Sequence, residues 1–322
     1  MTVEEALALL EREPADVFGS DPAEARRVYH RLARALHPDT GADPDGFTRL
    51  TERWRAYRGT TVLRTRKAAY QVGARIARGD IADLYAVRAP DGDALLKMPR
   101  DPADGDLVER EAVALRQLAA DGDPRFLPYV PRLIERVRYQ GRSASVQSRC
   151  AGFRTLAEVR AARPDGLDPR DAAWMWRRLL VALGFAHRAG VLHGAVLPEH
   201  VMIHPEAHGL VLVGWGQSVP GCYADTDPSG RVPLLVEARA SFYPPEVPAR
   251  ERAVEATDLF MATRVMTYLM GPLTPAPLRA FARGCTLASP RRRPSDAWRL
   301  LAELDDLLER LYGPRTFRPF AL

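Results

Sequence analysis

The apolar residues of the chain change period along its length, and each change marks an element. Ala25, Tyr29, Leu32, Ala33 and Leu36 recur at helical spacing and predict one buried stripe. The helix should start at Ser20-Asp21-Pro22-Ala23-Glu24: Asp21 can cap, Pro22 suits the first helical position, and Glu24 can close a capping box. Arg27, Arg31 and Arg34 line another face, with Arg26 and His30 beside them. The helix must stop at His37-Pro38-Asp39, because proline offers no amide and disfavours a helical residue before it. A second helix, from about Asp43-Pro44, places Phe47, Leu50, Trp54 and Tyr57 on one side. Two antiparallel amphipathic helices joined by a His-Pro-Asp loop are expected.

Gly59 to Ala69 shows no clear period and reads as a connector. From Tyr70 the period falls to two. Gln71–Ile76, Ile81–Arg88 and Ala94–Met98 read as strands with Gly-Asp or Asp-Gly turns between them. A helix follows with Leu107, Glu111, Ala114, Leu115 and Leu118 in phase. After Val146 helices dominate. Asp168-Pro169 caps a long one bearing Trp176, Leu179, Leu183 and His187, and Leu210–Gly214 is a short strand. Leu259–Met270 and Ser295–Leu311 supply the last two helices. Strands first and helices afterwards predict an α+β unit of two lobes.

Composition narrows the function. With 322 residues, 46% apolar and 27% charged, the chain can build two cores. The net charge of +5 comes from arginines interspersed with acids, the densest run being Arg291–Arg293, so a solvated surface is expected and no nucleic-acid partner. Glu4 and Glu5 argue against a secretory leader, and the apolar stretch Leu179–Ala186 ends too soon to span a bilayer. A cytoplasmic location without a membrane partner is the expectation. Cys150, Cys222 and Cys285 share no metal-type spacing, and His187, His204 and His208 form no ligand constellation, so no metal site is expected. Lys67 and Lys97 are the only lysines beside forty-four arginines, and there is no asparagine. A lysine kept against that bias asks for a reason.

Tyr29-His30-Arg31-Leu32-Ala33-Arg34, the tripeptide His37-Pro38-Asp39, and the Phe47/Leu50/Tyr57 face together resemble a J domain, with Ala15–Gly19 similar to its short first helix. The family's final helix is short or missing after Tyr57. The resemblance implies docking onto a DnaK-class chaperone and stimulation of its ATPase through His37, Pro38, Asp39, Arg27, Arg31 and Arg34. A basic face gives long-range attraction to an acidic partner, and a rigid loop loses little entropy on binding.

From Tyr70 to about Gly313 the order of landmarks resembles a protein kinase. Leu95-Leu96-Lys97 looks like the third-strand lysine motif and Arg110-Glu111 like the helix supplying its carboxylate. His193-Gly194-Ala195-Val196-Leu197-Pro198-Glu199-His200 stands where a catalytic loop belongs, and Val213-Gly214-Trp215-Gly216 where the metal motif belongs. Tyr243-Pro244-Pro245-Glu246, Asp258 and Arg293-Pro294 match the end of the activation segment, the acid of the following helix and the arginine that pairs with Glu246. The resemblance also shows what is missing. Ala195 replaces the catalytic aspartate, Leu197 the neighbouring lysine, His200 the metal-binding asparagine and Gly214 the metal aspartate, while the glycine-rich loop keeps only Gly79.

The chain is thus expected to be a small helical J-like hairpin (1–59), a linker (60–69), a two-lobed kinase-like domain (70–313) and a tail (314–322). The leading expectation is a co-chaperone that is not an enzyme and requires no cofactor, its kinase-like domain binding a client protein. The alternative is an atypical active serine/threonine kinase or nucleotidyl transferase, with Glu199, Asp225 or Asp227 taking over acid chemistry. Two roles stay open for Lys97 with Gly79 and Glu111: an ion pair that sets lobe geometry, or weak ATP binding. Glu246 and Arg293 are expected to pair structurally, Trp174, Trp176, Trp215 and Trp298 to pack, and His193 to make backbone contacts.

Overall fold

A computed structural model describes residues 1–19, 22–37, 44–58, 61–221 and 227–322. The chain divides into two compact units: residues 1–102 with 135–149, and residues 103–134 with 150–322.

The first unit begins with four helices, α1 (Val3–Leu10), α2 (Pro14–Phe18), α3 (Pro22–Leu36) and α4 (Pro44–Arg58). α1 starts at a capping box in which Glu5 N–H donates to Thr2 Oγ1 (3.1 Å) and Thr2 N–H to Glu5 Oε2 (2.8 Å). The helical stripe foreseen on α3 is the buried one: Ala25, Leu32 and Leu36 meet Leu50 and Tyr57 of α4, Leu10 of α1 and Phe18 of α2. Trp54 stacks on Tyr29 and Tyr57, with ring centroids 4.6 and 5.3 Å apart. Burying each large side chain contributes about 1.5–3 kcal/mol, enough to close a small helical core.

A six-stranded antiparallel sheet follows in the order β1-β2-β3-β4-β6-β5. Its strands are β1 (Thr61–Arg64), β2 (Ala69–Arg78), β3 (Ala82–Ala89), β4 (Gly92–Pro99), β5 (Leu133–Tyr139) and β6 (Arg142–Ser148). β1 lies inside the stretch expected to be a connector. It pairs with β2 from Thr61↔Val72 to Arg64↔Ala69, because Thr65 turns the chain back by accepting from the amides of Lys67 and Ala68. The three strands read from period-two patterning are present: β2 and β4 are longer by a few residues, and β3 is shifted by one.

The second unit contains α5 (Gly105–Asp121), α6 (Leu156–Ala162), α7 (Pro169–Arg188), α8 (Glu255–Met270), α9 (Ala276–Cys285) and α10 (Ala297–Tyr312). Short strands join them: β7 (Arg154–Thr155), β8 (Val191–Leu192), β9 (Val201–His204), β10 (Gly209–Leu212) and β11 (Val219–Pro220). α7 packs against α8 and α10, and Trp176, Leu179 and Leu183 share a core with Met261, Leu269, Leu300 and Leu304. β9 pairs with β10 and β8 with β11, so the loop from His193 to His200 is held at both ends by strands. Among the described residues no helix is long and apolar enough to cross a membrane.

Candidate functional site

The loop between β8 and β9 hangs on one buried carboxylate. Asp258, in the first turn of α8, accepts from the amides of His193 (2.8 Å) and Gly194 (2.9 Å) and bonds His187 Nε2 of α7 (3.0 Å). Burial alone would raise the Asp258 pKa. The hydrogen bond from His187, with the donors at His193, outweighs it and holds the group below the usual carboxylate range.

His193 is a framework residue, as its sequence position suggested. Its Nδ1 accepts from the Ala195 amide (3.2 Å), which makes Nε2 the donor to the Val213 carbonyl (2.9 Å). Burial, and then the neighbouring His200, push its pKa down to about 4, so the ring is neutral. The edge of Trp215 meets it at 4.5 Å between centroids. Gly194 is left-handed (φ +72°), and a Cβ there would lie 2.3 Å from the Gln217 carbonyl oxygen.

Two of the replacements noted in the sequence are sterically one. His200 Nδ1 donates to the Ala195 carbonyl (2.7 Å), which turns the imidazole toward Gly214. Gly214 is also left-handed (φ +80°), and a Cβ at that position would come within 2.5 Å of the His200 ring. The imidazole therefore fills the space an acidic side chain at 214 would need. Ala195 and Leu197 are buried and carry no polar group. Magnesium does not fit these residues: neither Gly214 nor His200 presents a side-chain oxygen.

Around this loop the unit keeps its ties. Glu246 and Arg293 pair through two bonds, Nη1–Oε1 at 2.6 Å and Nη2–Oε2 at 2.9 Å, and Arg293 also donates to the Ala288 carbonyl (2.6 Å). Thr257 Oγ1 donates to Glu246 Oε1 (3.0 Å), so the buried charges are hydrogen-bonded as well as paired. Glu111 of α5 is buried, and its Oε1 accepts from the Trp215 amide (3.0 Å). Trp174, Trp176 and Trp215 are core residues as expected, while Trp298 is half-buried under Arg188.

Of the acids considered as substitutes, Asp225 lies outside the described residues. Asp227 accepts from the Ser229 hydroxyl (2.6 Å) and from Arg110 (3.5 Å); the Ser229 bond, with Arg110, lowers its pKa against burial. Glu199 sits on the loop itself. Its Oε1 accepts from both Nε and Nη2 of Arg239, while its Oε2 is buried and has no partner among the described residues.

In the other unit, Lys97 lies on β4 between Leu84 of β3 and Ser145 of β6. Gly79 closes the β2–β3 turn, its amide donating to the Ala82 carbonyl (2.9 Å), and Arg100 donates to the Gly79 and Asp80 carbonyls. His37 is exposed at the end of α3 and meets the edge of Phe47 (5.6 Å); Pro38 and Asp39 lie outside the described residues. Arg27, Arg31 and Arg34 are exposed on the outer side of α3.

No protein-family model matches the chain, and no curated protein does. Solved structures do. Vaccinia related kinase 3 superposes with a TM-score of 0.60 at 17% identity, covering 78% of this chain and 90% of its own. The BubR1 kinase domain gives 0.58 at 14% identity, over 78% and 83% of the two chains. The Mycobacterium tuberculosis PknI kinase domain gives 0.57 at 17% identity, over 77% and 97%. The chain therefore carries a protein-kinase-like fold of mixed helix and sheet. All three are kinase structures, and the resemblance to a J domain rests on the sequence alone. The likeness corrects the expectation that the chain is not an enzyme. The structures it resembles are kinase domains, and a chain of that fold gives no support to the absence of activity.

Proposed function

We propose that the chain is an atypical nucleotide-using transferase of kinase fold, moving a phosphoryl or nucleotidyl group to a protein hydroxyl. The observation that carries this reading is Glu199: a carboxylate on the loop anchored by Asp258, fixed by Arg239 through one oxygen and with its other oxygen buried and unclaimed. A carboxylate so held can orient or deprotonate a hydroxyl, the role Ala195 cannot fill. Lys97 offers a point charge to a phosphate. No residue at 214 or 200 serves magnesium, so turnover is expected to be slow. The test is incubation of the full chain with ATP labelled at the α or at the γ phosphate. Label should enter protein from one of the two, and be lost in Glu199→Gln and in Lys97→Ala. No incorporation from either nucleotide would sink the reading.

A second reading concerns the N-terminal helices, which we infer serve to bring the chain to a DnaK-class chaperone. It is favoured by Arg27, Arg31 and Arg34, which are exposed on α3 opposite its buried stripe and pair with no carboxylate among the described residues. Reversing the three charges should slow association with the chaperone more than it speeds dissociation, and the wild-type on-rate should fall with salt. His37→Gln should remove stimulation of the chaperone's ATPase. A salt-independent on-rate and equal stimulation by the mutant would refute it.

A further inference from the structure

The second unit holds a pocket of about 420 Å³ between the end of α7, β8, β11 and the start of α8, which the transferase reading leaves unused. Its walls include His187, Leu192, Val219, Asp227, Arg252 and Glu255. A pocket of this size matches small ligands of roughly amino-acid dimensions, at the low end of ordinary sites.

The polar groups on its walls are of opposite kinds. The His187 side chain is only 7% exposed. Asp258 is a carboxylate that already accepts from two backbone amides, so His187 Nε2 must be the donor in their contact. That leaves His187 Nδ1 as a buried ring nitrogen without a partner among the described residues. Arg252 and Glu255 are exposed, line the same pocket, and form no ion pair among the described residues. α8 begins beside them with no side chain capping its first amides. Asp227 is already committed to Ser229 and Arg110. Leu192 and Val219 give the pocket an apolar side.

We propose that this pocket binds a free α-amino acid. Its carboxylate meets Arg252 and the positive end of α8. Its ammonium donates to Glu255 and to His187 Nδ1, and its side chain lies against Leu192 and Val219. A ligand with negative charge only would face both Glu255 and Asp227, and a simple cation would leave Arg252 unmatched. A zwitterion satisfies both ends. The site is independent of Glu199 and Lys97, so its test and that of the transferase reading fail separately.

The experiment is titration of the full chain with the common amino acids, one at a time, followed by melting temperature and by the ring nitrogen resonances of His187. At least one amino acid should raise the melting temperature in proportion to occupancy and move the Nδ1 resonance, with acetate and methylamine doing neither. Arg252→Ala and Glu255→Ala alter exposed residues and should keep the fold while each weakens binding by at least about tenfold. The proposal is overturned if no amino acid at millimolar concentration moves either signal, or if one binds equally well to both variants.

Discussion

Placing a methyl group at residue 214 tests whether two of the unusual residues of the loop depend on each other. In Gly214→Ala the new Cβ would lie 2.5 Å from the His200 ring, on a backbone with φ +80°. The left-handed backbone costs an alanine about 1–2 kcal/mol. Overpacking against the imidazole adds roughly 1–3 kcal/mol. A stiffer unfolded chain returns about 0.4–1 kcal/mol, leaving a net loss of around 1–5 kcal/mol. The backbone part belongs to residue 214 alone, whereas the steric part needs the ring. His200→Ala also loses the bond from Nδ1 to the Ala195 carbonyl, so it destabilises in its own right. In the double mutant the clash is gone, and the two losses should fall short of additivity by roughly 1–3 kcal/mol. Urea unfolding of the four proteins, followed by tryptophan fluorescence, measures this directly. Strict additivity would mean that His200 does not occupy the place of an acidic side chain, and the steric account would be wrong.

Other outcomes follow from the same frame. Glu246→Ala leaves Arg293 buried and unpaired, its side chain 0% exposed, and should cost about 3–5 kcal/mol by urea unfolding; a loss under 1 kcal/mol would contradict the pairing. His193 titrates at about 4 in the folded chain against 6.5 ordinarily, so below pH 6.5 the unfolded chain takes up a proton that the folded chain refuses. Stability should therefore fall as pH drops from 6.5 toward 4, and His193→Gln should flatten that slope in pH-dependent unfolding. A nucleotide held by Lys97 without a metal ligand at 214 should raise the melting temperature with ATP whether or not magnesium is present, and not in Lys97→Ala. A rise that needs magnesium would show that an oxygen ligand was overlooked.

What the sequence determined by itself is local. The spacing of Ala25, Leu32 and Leu36 was enough to define α3 and its buried side, because helical period and burial are the same fact seen twice. The paired charges Glu246 and Arg293 were also legible, since each sits at a fixed place in an ordered set of motifs. α1 could have been found from Thr2 and Glu5, whose capping box is a short-range signal. β1 could not, because a four-residue edge strand carries little pattern and exists only by pairing with β2. The site depends on long-range closure. Asp258 meets His193 across 65 positions and His187 across 71, and only packing of α8 against α7 decides that one carboxylate serves all three groups. The fit of His200 into the space at Gly214, the bond from Glu111 to the Trp215 amide across 104 positions, and the unclaimed oxygen of Glu199 are of the same kind. They follow from where side chains point once the core is closed, and no periodicity along the chain encodes that.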